Sequence, residues 1–217
     1  MENNAQTIFQ ILGTAGTLAA AIAAWLTARE MRRQSKNSVR PYPVLIGHRF
    51  ERRIPAEENS SETFLALENV GQGPMLNVTI SWEINNLLRS LPNSFKLHKS
   101  GKSVEYANNA YSAYYVLGDA LNFRKSHITS GINTDVHVPT VVMSIIDENM
   151  NDHFGNNSFN DFNIPYIFAK LEYNDIFENK YIFYYKLYAD IIMYSKNEEI
   201  SNYDAEWKTL QSQHLEF

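Results

Sequence analysis

The sequence predicts a mainly β protein: an N-terminal transmembrane α-helix, an immunoglobulin-like antiparallel β-sandwich and a short C-terminal helix. Three observations carry this prediction. Residues 8–28 contain no charge and no proline. Residues 76–84 alternate between apolar and polar side chains with a period of two, as half-buried strands do, and residues 63–70 also suit a strand. The predicted strands are not separated by the amphipathic helices of parallel α/β proteins. A small β-barrel is the alternative to the sandwich.

Composition excludes several classes of protein. The chain has 217 residues, of which 44% are apolar, so it can form a sizeable core. It has no cysteine, which excludes a disulfide-stapled module and any thiolate metal site. The net charge is −5, but it is unevenly spread: residues 29–53 carry eight Lys/Arg and two Glu, a balance of +6, which leaves −11 on the remainder. An acidic body argues against nucleic acid as a partner.

The uncharged segment 8–28 predicts a membrane anchor. As an α-helix its 21 residues span about 31 Å, close to the hydrocarbon thickness of a bilayer. Trp25 lies near the inner end, and basic residues follow directly. Because a basic flank resists translocation, we expect residues 1–7 outside the cell inner membrane and the rest in the cytoplasm. The predicted parts are then the helix 8–28, a basic linker 29–41, the β domain 42–195 and a C-terminal helix 196–217.

Two alternatives to an anchor remain open. A cleaved signal peptide carries its basic region before the apolar stretch, whereas here the basic residues come after it. A helix of a soluble protein would have to be buried on all sides, which a domain of this size could hardly provide.

Small residues predict how the helix packs. Gly13, Gly16, Thr17, Ala20 and Ala24 are spaced by three and four and therefore share one helix face. Such a row lets two helices approach closely in lipid, which predicts a homo-oligomer. The alternative is that alanine is simply common in this segment.

The basic residues of the linker predict contact with membrane lipid. They are Arg29, Arg32, Arg33, Lys36 and Arg40. Each can contribute roughly 1 kcal/mol near an anionic membrane surface. The alternative is that they determine topology alone. The helix can continue through the first part of this linker until Pro41 ends it.

The body reads as short strands joined by turns. The predicted strands are 42–50, 63–70, 76–84, 110–117, 137–146, 165–173 and 180–188, the last extending into 191–194. Residues 165–188 are predicted to form a hairpin. Residues 147–163, which are rich in Asn and Asp, are predicted to form a long loop. Residues 201–214 predict a helix with Tyr203, Trp207 and Leu210 on one face.

A search for chemistry predicts no catalytic, cofactor or metal site. Gly71-x-Gly73 lacks the lysine and the following helix of a phosphate loop. Asp147, Asn149 and Asn151 resemble the start of a calcium loop, but later positions lack the required Gly and Glu. The six histidines share no ligand spacing. The aromatic residues of 181–185 could stack bases, although an aromatic strand is more often part of a core.

Two turn motifs carry a resemblance to known proteins. Glu68-Asn69-Val70-Gly71-Gln72-Gly73-Pro74 is followed by Leu76-Asn77-Val78, and Leu171-Glu172-Tyr173-Asn174-Asp175-Ile176-Phe177 leads into an aromatic strand. With the apolar helix and Arg40-Pro41, the arrangement resembles a broad group of uncharacterised bacterial and phage membrane-anchored proteins with a cytoplasmic β-sandwich. The resemblance covers most of the chain and implies a fold and a topology, but no activity.

These features predict a membrane-anchored, non-enzymatic binding or scaffold protein with an unidentified protein or small-molecule partner. The alternative function is a ligand-sensing effector. In that reading the β domain binds a small signal molecule and the helix oligomerises to perturb the membrane, as small effectors of phage defence do.

Overall fold

The computed structural model describes residues 2–54, 63–89, 91–98, 101, 103–107, 112–118, 121–155, 166–196 and 201–212. For residues 2–12 it describes the backbone alone. The chain divides into two compact units, residues 1–40 and residues 41–217.

The first unit is one long helix, α1 (Glu2–Ser38). The predicted continuation through the basic linker is confirmed as far as Ser38. All of its described side chains, from Gly13 to Ser38, are exposed. Residues 8–12 of the predicted span lie outside the described side chains. Among the residues that could be assessed, no helix combines enough length with enough apolar character to cross a bilayer.

The second unit is built mainly from antiparallel strands. They are β1 (Pro43–Ile46), β2 (Arg49–Ile54), β3 (Phe64–Asn69), β4 (Met75–Glu83), β5 (Phe95–Leu97), β6 (Ser103–Ala107), β7 (Ser112–Val116), β8 (Asn122–Ile128), β9 (Asn133–His137), β10 (Ile167–Asn174), β11 (Lys180–Lys196) and β12 (Ser201–Ser212). Two helices join them, α2 (Asn85–Arg89) and α3 (Thr140–Gly155).

The strands of the described residues form three sheets, in which neighbouring strands are antiparallel. The largest has the order β2-β12-β11-β10-β4-β8, and two three-stranded sheets have the orders β1-β3-β9 and β5-β6-β7. The prediction of a mainly β, antiparallel domain is therefore confirmed. The predicted hairpin is confirmed as well: β10 pairs with β11 from Ile167–Leu187 to Asn174–Lys180.

Among the described residues, one hydrophobic core receives side chains from all three sheets and from α3. Along β10 every second side chain is buried, as the alternating sequence predicts. The core joins Leu45, Leu65, Leu67 and Val136 of the sheet β1-β3-β9 to Ile80, Leu171, Phe183 and Trp207 of the six-stranded sheet. Burial of each such side chain contributes roughly 1.5–3 kcal/mol, so this shared core is what holds the two sheets together.

The predicted strand 42–50 is wrong as a single element. It divides at Gly47 and His48 into β1 and β2, which belong to different sheets. A methyl group on Gly47 would overlap the backbone carbonyl of Trp207, so only glycine fits where the chain passes β12. Sequence alternation alone does not show where a strand changes sheets.

The predicted strand 137–146 and loop 147–163 are also wrong over the described residues. The strand ends at His137, and α3 occupies Thr140–Gly155. Val141, Val142, Ile145, Ile146 and Met150 are buried at helical spacing. The β-branched residues of this run favour strands locally, but burial of one helical face against the sheets decides the outcome. Residues 156–163 of the predicted loop lie outside the described residues.

The predicted C-terminal helix is wrong as well. Residues 201–212 form β12, which pairs with both β11 and β2. Tyr203, Ala205 and Trp207 face the core with a period of two, whereas Leu210 is exposed. The helical spacing of Tyr203, Trp207 and Leu210 does not lead to a helix. Pairing of residues 201–212 with a strand on each side outweighs their local helix propensity. Residues 213–217 lie outside the described residues.

Candidate functional site

The β domain has two opposite ends, the proximal pole and the distal pole, which differ in the strands that begin or end there. The proximal pole contains Pro41–Tyr42 and the loops 70–74, 129–132 and 175–179. Strand register places them together: β3 and β10 end there, while β1, β4, β9 and β11 begin there. The distal pole is the opposite end, where β4 and β9 end and β8 begins.

A cavity of about 530 Å³ opens at the distal pole. Its walls are largely aromatic and aliphatic, with a few polar groups. They are Trp82, Tyr114, Tyr115, Val116, Asn122, Phe123, His137, Val138, Pro139, Thr140 and Val141. This volume lies within the range of roughly 300–1,000 Å³ that small-molecule sites usually have.

Strand pairing and a helix start position the cavity walls. Asn122 and Phe123 of β8 pair with Ser81 and Ile80 of β4, which brings them beside the buried Trp82. Pro139 directly precedes α3, and its carbonyl accepts hydrogen bonds from the amides of Val142 and Met143. Pro139 is therefore the residue that caps the start of the helix.

Side-chain hydrogen bonds attach α3 to the sheet that forms the opposite wall. The hydroxyls of Tyr115 and Ser144 lie 2.8 Å apart. The Tyr106 hydroxyl donates to Glu148 Oε2 at 3.2 Å. The cavity wall formed by α3 is therefore connected to the wall formed by β7 through polar contacts as well as packing.

A buried ionic cluster attaches α3 to the six-stranded sheet. The Arg52 guanidinium donates to both carboxylate oxygens of Asp147, at 2.5 and 3.3 Å, and the Tyr203 hydroxyl donates to the same carboxylate at 2.5 Å. Arg52 and Tyr203 are directly opposite one another in the β2–β12 pairing. All three side chains are buried.

Burial and charge shift the titration of this cluster. Burial is the largest influence on Arg52 and would lower its pKa, but the bonds to Asp147 outweigh it and the net pKa is raised. Burial and the Asp147 carboxylate both raise the pKa of Tyr203 well above 10. Arg52 is therefore charged and Tyr203 neutral at physiological pH, which suits a structural attachment.

The described lining of the cavity is mostly aromatic and aliphatic. Its lining includes no Asp, Glu, Lys or Arg among the residues the structure describes, and Asn122, His137 and Thr140 are its polar side chains apart from the tyrosines. Over the same described part of the chain, no three His, Asp or Glu side chains are grouped as metal ligands would be. The flat aromatic walls favour a planar, largely apolar ligand.

One buried amide organises the proximal pole. Asn69 is completely buried, and its side-chain oxygen accepts hydrogen bonds from the amides of Tyr42 and Gly71, both at 3.1 Å. Its side-chain nitrogen donates to the carbonyls of Gly73 at 2.7 Å and Ile128 at 3.3 Å. This one side chain thus joins the start of the domain to two loops, which explains the motif Glu68–Pro74 in physical terms.

A carboxylate organises the neighbouring hairpin turn. Asp175 accepts hydrogen bonds from the amides of Phe177 and Asn179, from the Asn179 side chain and from the Tyr181 hydroxyl, at 2.8–3.1 Å. Burial alone would raise its pKa, but these donors together lower it. Both sequence motifs that carried the family resemblance therefore stabilise loops of the same pole.

The sequence-predicted helix residues stand apart from the cavity. Gly13, Gly16, Thr17, Ala20 and Ala24 lie in α1 and are exposed, and a methyl group on either glycine would contact nothing within 4 Å. Arg29, Arg32, Arg33 and Lys36 also lie exposed in α1, and Arg40 follows its end. At about 100° per residue, the four helical basic residues occupy the face opposite the small residues.

Comparison with known proteins gives one match. A protein family described as a domain of unknown function (DUF8453) matches residues 8–192, which is well over half of the chain. The chain belongs to this family. The DUF8453 match begins at the first residue of the uncharged segment and ends within β11, so it includes α1 together with most of the β domain. A search of curated proteins finds no match, and a search of solved structures finds none either.

Sequence reasoning missed the cavity of this DUF8453 chain. No residue of its lining was predicted to bind a ligand. A helical apolar period after Pro139 was a usable signal for α3. The cavity is assembled from four separate segments and leaves no local pattern, so it could not be found from spacing.

Proposed function

We propose that this protein is a membrane-anchored, non-enzymatic binding protein whose cytoplasmic β domain takes a ligand in the distal cavity. The observation that carries the anchor is the exposure of α1. Leu18, Ile22, Trp25 and Leu26 are each more than half exposed on a helix whose described side chains are buried nowhere. Burying such a surface in lipid is favourable, whereas leaving it in water is not.

Threonine hydroxyl groups of the helix form hydrogen bonds within the helix, which suits a lipid environment. The Thr17 hydroxyl donates to the Gly13 carbonyl at 2.8 Å, and the Thr27 hydroxyl donates to the Ala23 carbonyl at 2.9 Å. A polar group without a partner is costly in a bilayer, and these bonds remove that cost within the helix. Threonine therefore does not oppose insertion of the segment 8–28.

The basic residues after the segment support the predicted orientation and a lipid partner. Arg29, Arg32, Arg33, Lys36 and Arg40 would lie on the cytoplasmic side of the inner membrane. The Arg29 guanidinium lies 5.7 Å from the centroid of the Trp25 ring, a pairing that suits the membrane interface. On this proposal the N-terminus lies outside the cytoplasm.

The β domain itself is proposed to be an immunoglobulin-like sandwich. Its support is the shared core of the sheets β1-β3-β9 and β2-β12-β11-β10-β4-β8. Hydrogen bonds also cross between them, from the Tyr185 hydroxyl to the Pro43 carbonyl and from the Thr209 hydroxyl to the Leu45 carbonyl. A fold of this kind carries no function by itself, so the function is argued from the cavity.

Membrane fractionation of the full chain tests the anchor. Leu18→Arg with Ile22→Arg places two charges in the helix, at roughly 2.5–3.5 kcal/mol each on insertion scales. Met31→Arg is the matched control, since Met31 is equally exposed but lies in the basic flank. We expect the parent and the control to resist alkaline extraction and the double variant to be released. A parent protein found in the supernatant without detergent would overturn the anchor.

Thermal shift measurements on the detergent-solubilised chain test the cavity. The probes are a panel of nucleosides, nucleotides and indoles, which present flat rings. Val116→Arg introduces a charged side chain at the cavity wall, and Leu97→Arg is an exposed control outside it. We expect a probe that raises the melting temperature of the parent and of Leu97→Arg but not of Val116→Arg. Equal shifts in all three proteins would contradict binding in the cavity.

The open row of small residues favours a second candidate, a ligand-sensing membrane effector. Gly13 and Gly16 are not required by packing within the chain, so close approach of another helix is a reason for them. Gly16→Ile with Ala20→Ile should weaken cross-linking in membranes, whereas Ala15→Ile with Ala19→Ile, off the row, should not. Ligand-independent oligomers and no toxicity on induction would count against the effector.

A further inference from the structure

Exposed apolar side chains gather at the proximal pole. They come from the start of the domain and from each of its three loops. They are Tyr42, Val70, Ile132, Ile176 and Phe177, with exposed fractions between 40% and 52%. Single exposed apolar residues are common on any protein, but a group at one end of a domain marks a contact surface.

These side chains are held in place rather than free to collapse. Asn69 bonds the backbone of Tyr42 and Gly71, and the Val70 amide donates to the Tyr42 carbonyl at 2.9 Å. The Gly131 amide, next to Ile132, donates to the Asn69 carbonyl at 2.8 Å. Asp175 fixes the turn that presents Ile176 and Phe177. Loops stabilised in this way keep the apolar side chains directed outward.

We propose that the proximal pole docks onto the headgroup region of the bilayer that holds α1. This inference rests on the proposed membrane anchor. The chain reaches the β domain at Pro41, and Pro41 belongs to the proximal pole: its carbonyl accepts a hydrogen bond from Tyr173 at 3.3 Å. The same end of the domain therefore carries both the link to the helix and the apolar side chains.

The chemistry of the pole suits the boundary between headgroups and acyl chains. Aromatic side chains such as Tyr42 and Phe177 partition favourably there. The neighbouring Lys180 lies 3.0 Å from Glu172, which also pairs with Lys170 at 3.3 Å. The nine residues of β4 place the distal cavity about 26 Å further out, where it faces the cytoplasm.

Single-cysteine labelling of the full chain in phospholipid vesicles tests the docking. The chain has no cysteine, so each introduced thiol is unique. An environment-sensitive fluorophore is placed at Phe177→Cys or Ile132→Cys on the proximal pole, at Tyr114→Cys on the distal pole and at Leu18→Cys in the helix. Lipids carrying quenchers near the headgroup or deep in the acyl chains then report the depth of each label. Melting curves that match the parent confirm that each labelled variant is folded.

The expected result is quenching of the two proximal labels by headgroup quenchers, quenching of the Leu18 label by deep quenchers, and no quenching at Tyr114. A quenched Leu18 label with unquenched proximal labels would overturn the docking while leaving the anchor in place. Proximal labels shielded from aqueous iodide but not reached by lipid quenchers would show a protein partner, such as a second copy, and would also overturn it. Quenching at Phe177 without quenching at Leu18 would contradict the anchor and support lipid contact.

Discussion

The two poles of the β domain are built by different means. At the proximal pole, the buried Asn69 amide and the buried Asp175 carboxylate hold short loops through hydrogen bonds, most of them to backbone groups. At the distal pole, a buried ionic cluster and aromatic packing hold a helix against two sheets. At the proximal pole, Asp175 bonds within its own turn, and Asn69 bonds Gly71 and Gly73 of its own loop as well as the distant Tyr42 and Ile128. The distal cavity is assembled from distant strands and the start of α3, so it depends more strongly on tertiary structure.

Removal of Arg52 should have the largest effect on stability. Arg52→Leu leaves the Asp147 carboxylate buried without its charge partner, and breaking such a pair typically costs about 3–5 kcal/mol. The free energy of unfolding from urea titration measures the effect. Arg53→Leu, at the exposed neighbouring position, is the control.

A second variant isolates the ionic contribution. Arg52→Leu combined with Asp147→Leu should recover most of the lost stability, since no uncompensated charge is left. If Arg52→Leu and Arg53→Leu are equally stable, the ionic cluster does not hold α3 and the contrast between the poles disappears.

Removal of the Asn69 side chain should have the next largest effect. Asn69→Ala leaves buried backbone groups of Tyr42, Gly71 and Gly73 without their partner, at roughly 2–3 kcal/mol in total. Asn133→Ala, at an exposed position of β9, should change stability by less than about 0.5 kcal/mol. Hydrogen exchange of the Asn69→Ala variant should show loss of amide protection mainly at the proximal pole. Equal loss of protection at both poles would contradict the proposal that the two poles are stabilised separately.

Acid titration of Asp175 should have the smallest effect. The pKa of Asp175 is lower in the folded protein than its ordinary value, so its contribution is present above about pH 4 and is lost as the pH falls through the folded value. Asp175→Asn should be less stable than the parent by about 1.5 kcal/mol at pH 7. Urea midpoints between pH 7 and pH 2 should converge in acid; a constant difference would show that the carboxylate charge is unimportant.

Local sequence patterns correctly predicted the strands in which alternate side chains are buried. β3, β4, β10 and β11 appear where period-two sequences placed them, and the turn residues between them were read correctly. The failures share a cause. α3 and β12 each carry apolar spacing that suits two structures, and packing against a particular sheet selected one of them.

The sequence by itself determined the antiparallel β character of the body, the long N-terminal helix and the two turn motifs, because each depends on residues close together in the chain. Tertiary structure alone decided where the chain leaves one sheet for another at Gly47 and which element residues 140–155 and 201–212 became. It also brought β4, β7, β8 and the start of α3 together around the distal cavity. The physical reason is that burial free energy depends on contacts between distant segments, which no local period records.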